Sequence, residues 1–218
     1  MNENLSRPEM NAGKTHSRKT NSRKTKSGGI NTEWILSQRG AKNEIETNRP
    51  YDCMVEKERR PNGKVEDTAT VFLSNKECSF KCLMCDLWKN TSDDTVPEGA
   101  IPEQIEWALS RLPSARHIKL YNSGSFFDEK AIPKSDYQSI AKLVDHFETV
   151  IVESHPRLIG EKCLEFRDLI SGKLEVAIGL ETAHPEVLAR LNKQMTLDDF
   201  KRGVEFLNSN DMNSRAFI

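Results

Sequence analysis

Three thiols carry the first chemical signal in this sequence. Cys78-Ser-Phe-Lys-Cys82-Leu-Met-Cys85 spaces its cysteines as C-x3-C-x2-C. A tight loop with that spacing can present three thiolates to three irons of one cube and leave the fourth iron open to another ligand. Structural zinc is the competing chemistry. It takes four closed ligands, commonly two C-x2-C knuckles. Only Cys82 and Cys85 form such a pair, and Cys53 or Cys163 would complete a site only by folding near. The five cysteines are odd in number and clustered. That argues against a disulfide framework and for metal or redox chemistry in a reducing, cytoplasmic setting.

Other polar residues fall where ligands are commonly bound. Glu153 and Glu181 each follow an apolar stretch that reads as a strand, and Ser123-Gly124-Ser125 follows another. In parallel α/β sheets the residues just after the strands face the ligand. Each has a plainer reading. The serine–glycine run could be a turn, the acids could be solvated, and Lys193 could serve a helix dipole. His155, beside Pro156, reads as structural. Phe126, Phe127 and Trp88 read as core, and Cys53 and Cys163 as unreactive thiols.

The elements that must position these residues alternate. A short helix holds Trp34, Ile35 and Leu36. A strand from about Asp52 to Glu58 and a second ending near Ser74 flank the turn signal Pro61-Asn62-Gly63, giving a hairpin. Thr68 to Leu73 is β-branched and apolar, a buried strand. Pro102 marks a helix start running to about Leu112. Further strands are expected at His117–Tyr121, Thr149–Glu153, Leu174–Leu180 and from Asn213. Helices follow a Ser135 cap, span about Glu161 to Ile170 and Pro185 to Leu191, and follow a Thr196 cap completed by Asp199. Such alternation means βαβ units and a parallel sheet with right-handed crossovers. The expected fold is α/β, a partial (β/α) TIM-type barrel preceded by a short hairpin extension. The last strand has no helix after it, which reads as a truncated or split chain.

The 218 residues divide by composition into 1–29, 30–67 and 68–218. The first segment repeats Ser-Arg-Lys-Thr at 17–20 and 22–25, carries a net charge of +5 and is almost free of apolar residues. It reads as a disordered basic arm, either a solvated tail or a contact for RNA phosphates. The remainder is acidic, at −6. No apolar run approaches the roughly 18 residues of a membrane helix. The first ten residues lack the apolar stretch of a secretory signal.

The segment Glu77-Cys-Ser-Phe-Lys-Cys-Leu-Met-Cys-Asp-Leu-Trp88 resembles the cluster loop of the radical S-adenosylmethionine (SAM) superfamily. The resemblance covers roughly residues 68–218. It is closest to the branch holding the elongator catalytic subunit, the coproporphyrinogen dehydrogenases and the radical SAM subunit of archaeosine synthase. It implies that Cys78, Cys82 and Cys85 bind a [4Fe–4S] cluster whose open iron is chelated by SAM. An external one-electron reductant would then drive formation of a 5′-deoxyadenosyl radical that abstracts hydrogen from a substrate, with tRNA a compatible one.

Met84 stands where the superfamily often has an aromatic and would pack on the adenine. Asn122-Ser-Gly-Ser-Phe-Phe-Asp128 is similar to the archaeosine-synthase pattern. Its Ser123, Gly124 and Ser125 take the place of the glycine-rich motif that holds the SAM amino group, with one glycine retained. Glu153-Ser-His-Pro156 resembles a Glu-x-x-Pro pattern that meets the ribose. Glu181, in Gly179-Leu-Glu-Thr182, and Lys193 stand where relatives contact the same ligand. Two other classes stay open: a zinc-stabilised binding module, and an inactive fragment of a longer enzyme.

Overall fold

The computed structural model describes residues 29–218. The expectation of a disordered arm at 1–29 lies, Gly29 apart, outside the described residues. The described residues form one open, mixed sheet of six strands in the order β1-β2-β3-β4-β5-β6. These are β1 (Asp52–Arg59), β2 (Val65–Leu73), β3 (His117–Asn122), β4 (Thr149–Glu153), β5 (Lys173–Gly179) and β6 (Asn213–Phe217). β1 is antiparallel to β2, and every other pairing is parallel. β2 belongs to both the hairpin and the parallel set, so a boundary after residue 67 falls inside one strand. Among the described residues six α-helices accompany the strands: α1 (Thr32–Ser37), α2 (Ala100–Leu109), α3 (Tyr137–Val144), α4 (Glu161–Arg167), α5 (Pro185–Arg190) and α6 (Leu197–Ser209). Among the described residues no helix is long and apolar enough to cross a membrane.

The period of two sorts the strands into an apolar and a polar face. Ala69, Val71 and Leu73 of β2 continue through Ile118 and Leu120, Val150 and Val152, and Leu174, Val176 and Ile178. They form one core with Ile101 and Ile105 of α2, Ile140 and Val144 of α3, Phe166 of α4 and Leu207 of α6. Ile101, Ile105, Ile140 and Phe166 are wholly buried, each burial stabilising by roughly 1.5–3 kcal/mol. Phe126 and Phe127 join that core, as expected of them, and Trp88 is also buried.

The opposite face is charged, and its ion pairs report the shape of the sheet. Glu58 of β1 pairs with Arg215 of β6. Lys119 of β3 lies 2.6 Å from Glu58, Arg215 lies 2.6 Å from Glu175 of β5, and Arg60, just past β1, lies 3.3 Å from Glu175. In a flat sheet five strand spacings would put β1 and β6 about 24 Å apart, beyond the reach of two side chains. The sheet therefore curls with this face inward. It stays open, because β1 and β6 both remain hydrogen-bonding edges.

Local rules account for most element ends. Thr196 accepts from the Asp199 N–H at 3.1 Å while Asp199 accepts from the Thr196 N–H at 2.8 Å, a complete capping box for α6. Two expected starts differ. α2 begins at Ala100, two residues before Pro102, behind Gly99 in the left-handed region at φ 86°. α3 begins after Asp136, not on a Ser135 cap, because residues 134–136 form a 3-10 turn. The Asp136 carboxylate turns away to accept from Gly99 N–H at 2.9 Å, tying α2 to α3.

Candidate functional site

The site lies at the carboxyl ends of the parallel strands, where the chain leaves β2, β3, β4 and β5. Buried Gln104 of α2 fixes the exit from β2. It accepts from Ser74 N–H and donates to Ser74 O, both at 2.8 Å. The chain then enters the cysteine loop beside Ser92, which pairs with Asn75 and Glu77 through backbone bonds of 3.0 Å. Cys78, Cys82 and Cys85 are free and partly buried, and all three line one cavity of about 410 Å³.

Of the residues singled out for a ligand, Met84, Ser123, Gly124, Glu153, Glu181 and Lys193 line that same cavity. Ser125 is not among its walls. Its hydroxyl is buried against the Ser154 hydroxyl at 2.9 Å, where it joins the ends of β3 and β4. Ser125 lies past the end of β3, beyond the bend at Ser123 and Gly124, so strand periodicity does not set which way it faces. Cys53 sits half-buried on β1 and Cys163 is fully buried in the core, its thiol pushed up to about 11 by that burial.

Glycines make the close approaches. Gly124 has φ 150°, and a Cβ there would stand 3.3 Å from Cys78 Cβ and 3.5 Å from its sulfur. Gly179 leaves the room filled by Lys193 Nζ and Glu181 Oε1, which pair at 2.9 Å. Lys193 is nine-tenths buried, so it is a cavity group and not a helix-end surface charge.

Burial sets the proton affinities. It pushes the Cys78 thiol up to about 11 and raises Cys82 as well. Thiolate ligands must lose their protons, so loading a metal here would release them. Burial lifts the Glu153 carboxyl to about 7, against the opposing pull of the Asn122 N–H it accepts from and of Lys193. Burial also lowers His155 to about 4, so its ring is neutral near pH 7. His155 Nδ1 accepts from Arg157 N–H at 3.3 Å, which leaves Nε2–H to donate to Lys193 O at 2.9 Å. The imidazole stacks on Phe80 of the cysteine loop, centroids 3.7 Å apart and planes 10° from parallel. The structural role expected of His155 is thus a specific one.

The loop is also held from outside. Glu77 pairs with Arg39 at 2.7 Å, with Lys42 at 2.9 Å and with Lys81. Burial works to raise this carboxyl, yet the hydrogen bonds from Lys81 and Lys42 bring it down to about 2. Arg39 further lies over the Trp88 ring, 4.9 Å from its centroid. The segment after α1 is therefore part of the site. Sequence reasoning missed it, because Arg39 and Lys42 lie far from Glu77 along the chain and only Lys81 is its neighbour in sequence.

The donor set fits an iron–sulfur cube of the kind the C-x3-C-x2-C spacing suggests. Three free thiols open onto one cavity, and the backbone at Gly124 makes room for Cys78. Among the described residues no three of His, Cys, Asp or Glu are grouped about one metal-ion position.

No family model and no solved structure matches the chain. Curated relatives do. The chain is 23% identical over 186 residues to an uncharacterized protein of Methanocaldococcus jannaschii, covering 78% of this chain and 51% of that protein. It is 28% identical over 133 residues to archaeosine synthase subunit beta of Thermococcus kodakarensis, covering 57% and 41% of the two chains. It is 26% identical over 158 residues to archaeosine synthase subunit beta of Methanosarcina acetivorans, covering 66% and 45%. The chain spans about half the length of the curated relatives it matches. It is thus distantly similar to archaeosine synthase beta subunits.

Proposed function

We propose that this chain is the cluster-bearing core of a radical SAM enzyme, built on a partial (β/α) barrel whose mostly parallel sheet stays open. The observation that carries the reading is the single cavity shared by Cys78, Cys82 and Cys85 with Glu153, Glu181 and Lys193 at the strand ends. Thiols, a buried cation and two carboxyls suit a [4Fe–4S] cluster beside a zwitterionic nucleoside such as SAM. With both bound, an electron from an external reductant would cleave the sulfonium and supply a hydrogen-abstracting radical.

The chain's own residues then have separable tasks. Cys78, Cys82 and Cys85 hold the cluster as thiolates. Lys193, paired with Glu181 at 2.9 Å, offers its ammonium to a carboxylate. Glu153, with its carboxyl near 7, can accept or donate a hydrogen bond to a hydroxyl. Met84 and Leu87, both partly exposed on the cavity wall, supply apolar surface that sheds water on contact with a ring. The names of the relatives support two further parts of the reading: action as one subunit of a larger assembly, and an RNA nucleoside as substrate. The basic segment 1–29 suits phosphate contacts.

The test is anaerobic reconstitution with iron and sulfide, then dithionite and SAM, with 5′-deoxyadenosine as the readout. The Cys78/Cys82/Cys85→Ala triple variant is the control. Product that disappears in the variant supports the reading. Stoichiometric zinc with no iron uptake would sink it in favour of a zinc-stabilised module.

A further inference from the structure

We propose that Asn192 is a positioning residue: through it the turn at 191–194 holds the Cys82 half of the cysteine loop and couples that half to whatever occupies the Lys193 ammonium. The inference rests on the cluster reading for its second half only.

The geometry is convergent. Asn192 Nδ2 donates to Lys81 O at 2.7 Å and to Thr32 Oγ1 at 3.0 Å. Leu83 N–H donates to Leu191 O at 2.9 Å. Phe80, on the near side, stacks on the imidazole that donates to Lys193 O. Phe80, Lys81 and Leu83 thus flank Cys82 with three ties to one short turn. The Cys78 end has ties of its own in the Gly124 approach and in the pairs of Glu77 with Arg39 and Lys42, while Lys81 links the two halves through its ammonium on Glu77 and Cys78 O. Removing Asn192 should therefore loosen Cys82 more than Cys78.

The turn is built at a conformational cost. Asn192 and Gln194 are both left-handed, at φ 52° and 57°. Asparagine tolerates that region better than most residues, and its short amide is what reaches Lys81 O. Residue 193 lies between these two, with its carbonyl on His155 and its ammonium on Glu181. A ligand that draws on the ammonium orders the same turn that holds Cys82. By linkage, an ordered cysteine loop then favours that ligand by the same factor.

Three variants separate backbone from side chain. Asn192→Gly keeps the left-handed backbone and deletes the amide. Asn192→Asp keeps the shape but sets a carboxylate against Lys81 O. Asn192→Ala loses the amide and adds strain. The first measurement uses the metal-free chain: hydrogen exchange of the peptide spanning 78–88, alongside the melting temperature. Loss of two hydrogen bonds should speed exchange at Leu83 about 10-fold in Asn192→Gly, with the global transition retained. The second measurement uses the reconstituted protein: the rate at which a chelator strips iron, with and without SAM. Wild type should lose iron several-fold more slowly with SAM, and Asn192→Gly should lose that protection. Exchange at Leu83 unchanged in both Asn192→Gly and Asn192→Asp would overturn the clamp. Intact SAM protection in Asn192→Gly would overturn the coupling. Failure of wild type to take up iron would instead count against the function proposed above, and the exchange result would still decide the clamp.

Discussion

Gly124 stands so close to Cys78 that a methyl group there would crowd its Cβ at 3.3 Å and touch its sulfur at 3.5 Å. The φ of 150° is a backbone region that L side chains rarely adopt. Gly124→Ala should therefore cost stability of about 1–3 kcal/mol through strain. It should also lower iron uptake, because Cys78 is the neighbour that must move. Iron content after reconstitution and a urea titration read the two effects. A variant that loads iron like wild type would remove Gly124 from the account of the site.

Glu153 and His155 give opposite pH slopes in one window. A carboxyl raised to about 7 binds its proton more tightly in the folded chain, so its contribution to stability falls as pH rises from about 4.5 to 7. A histidine lowered to about 4 does the reverse. Below 6.5 the unfolded chain takes up the proton first, so stability is lost as pH falls toward 4. The two partly cancel in wild type. Glu153→Gln should unmask the histidine, and the metal-free variant should gain stability relative to wild type on going from pH 5 to pH 7.5. Parallel urea curves at the two pH values check this; an unchanged difference would mean that Glu153 ionises as an ordinary carboxylate.

The cysteine loop was legible because its signal is local: three cysteines within eight residues after an apolar strand. The α6 capping box was legible for the same reason, Thr196 and Asp199 being three apart. The inward curl and the clamp were not. Asn192 reaches Lys81 O across 111 positions, and its partner is a backbone oxygen that carries no residue identity. Gln104 likewise reads as a solvated helix residue until Ser74 is found beside it. Ser135 looked like a helix cap, but Asp136 ends the preceding turn and is drawn to Gly99 by a tertiary bond. Strand–helix alternation gives a parallel sheet, yet neither its order nor how far it curls follows from spacing alone.

Lys193 and Glu181 should divide binding from loading. Lys193→Met removes the ammonium from the cavity while keeping much of the side chain's volume. Iron uptake should stay near wild type, since the cysteine loop is tied to this turn through Asn192 and Leu191 and, by way of His155, through the Lys193 carbonyl, none of them the Lys193 side chain. Binding of SAM to the reconstituted protein should weaken by about 10-fold or more, as expected for loss of a buried charge-assisted bond. Isothermal titration and iron analysis of one preparation separate the two. Equal loss of both would mean that the ammonium supports the loop and does not serve a ligand.

The curl of the sheet should depend on Arg215. Among the described residues it alone joins Glu58 of the first strand to Glu175 of the fifth, and the attraction of these carboxylates holds its guanidinium charged against the cost of burial. Burial works to raise Glu58, yet Lys119 and Arg215 keep it below the usual carboxylate range. Arg215→Leu leaves Lys119 and Arg60 to serve buried Glu175 and half-buried Glu58. Removing one member of such a network should cost roughly 2–4 kcal/mol, less than a fully buried pair because Arg215 is partly exposed. The loss should be largest at neutral pH and shrink as pH falls through and below the usual carboxylate range, since Glu58 is held low by Lys119 and Arg215 and its protonation relieves the uncompensated charge. Urea denaturation of Arg215→Leu and wild type across that range tests it. A constant difference would mean that Arg215 contributes by packing its aliphatic stem, with the curl set by the strands themselves.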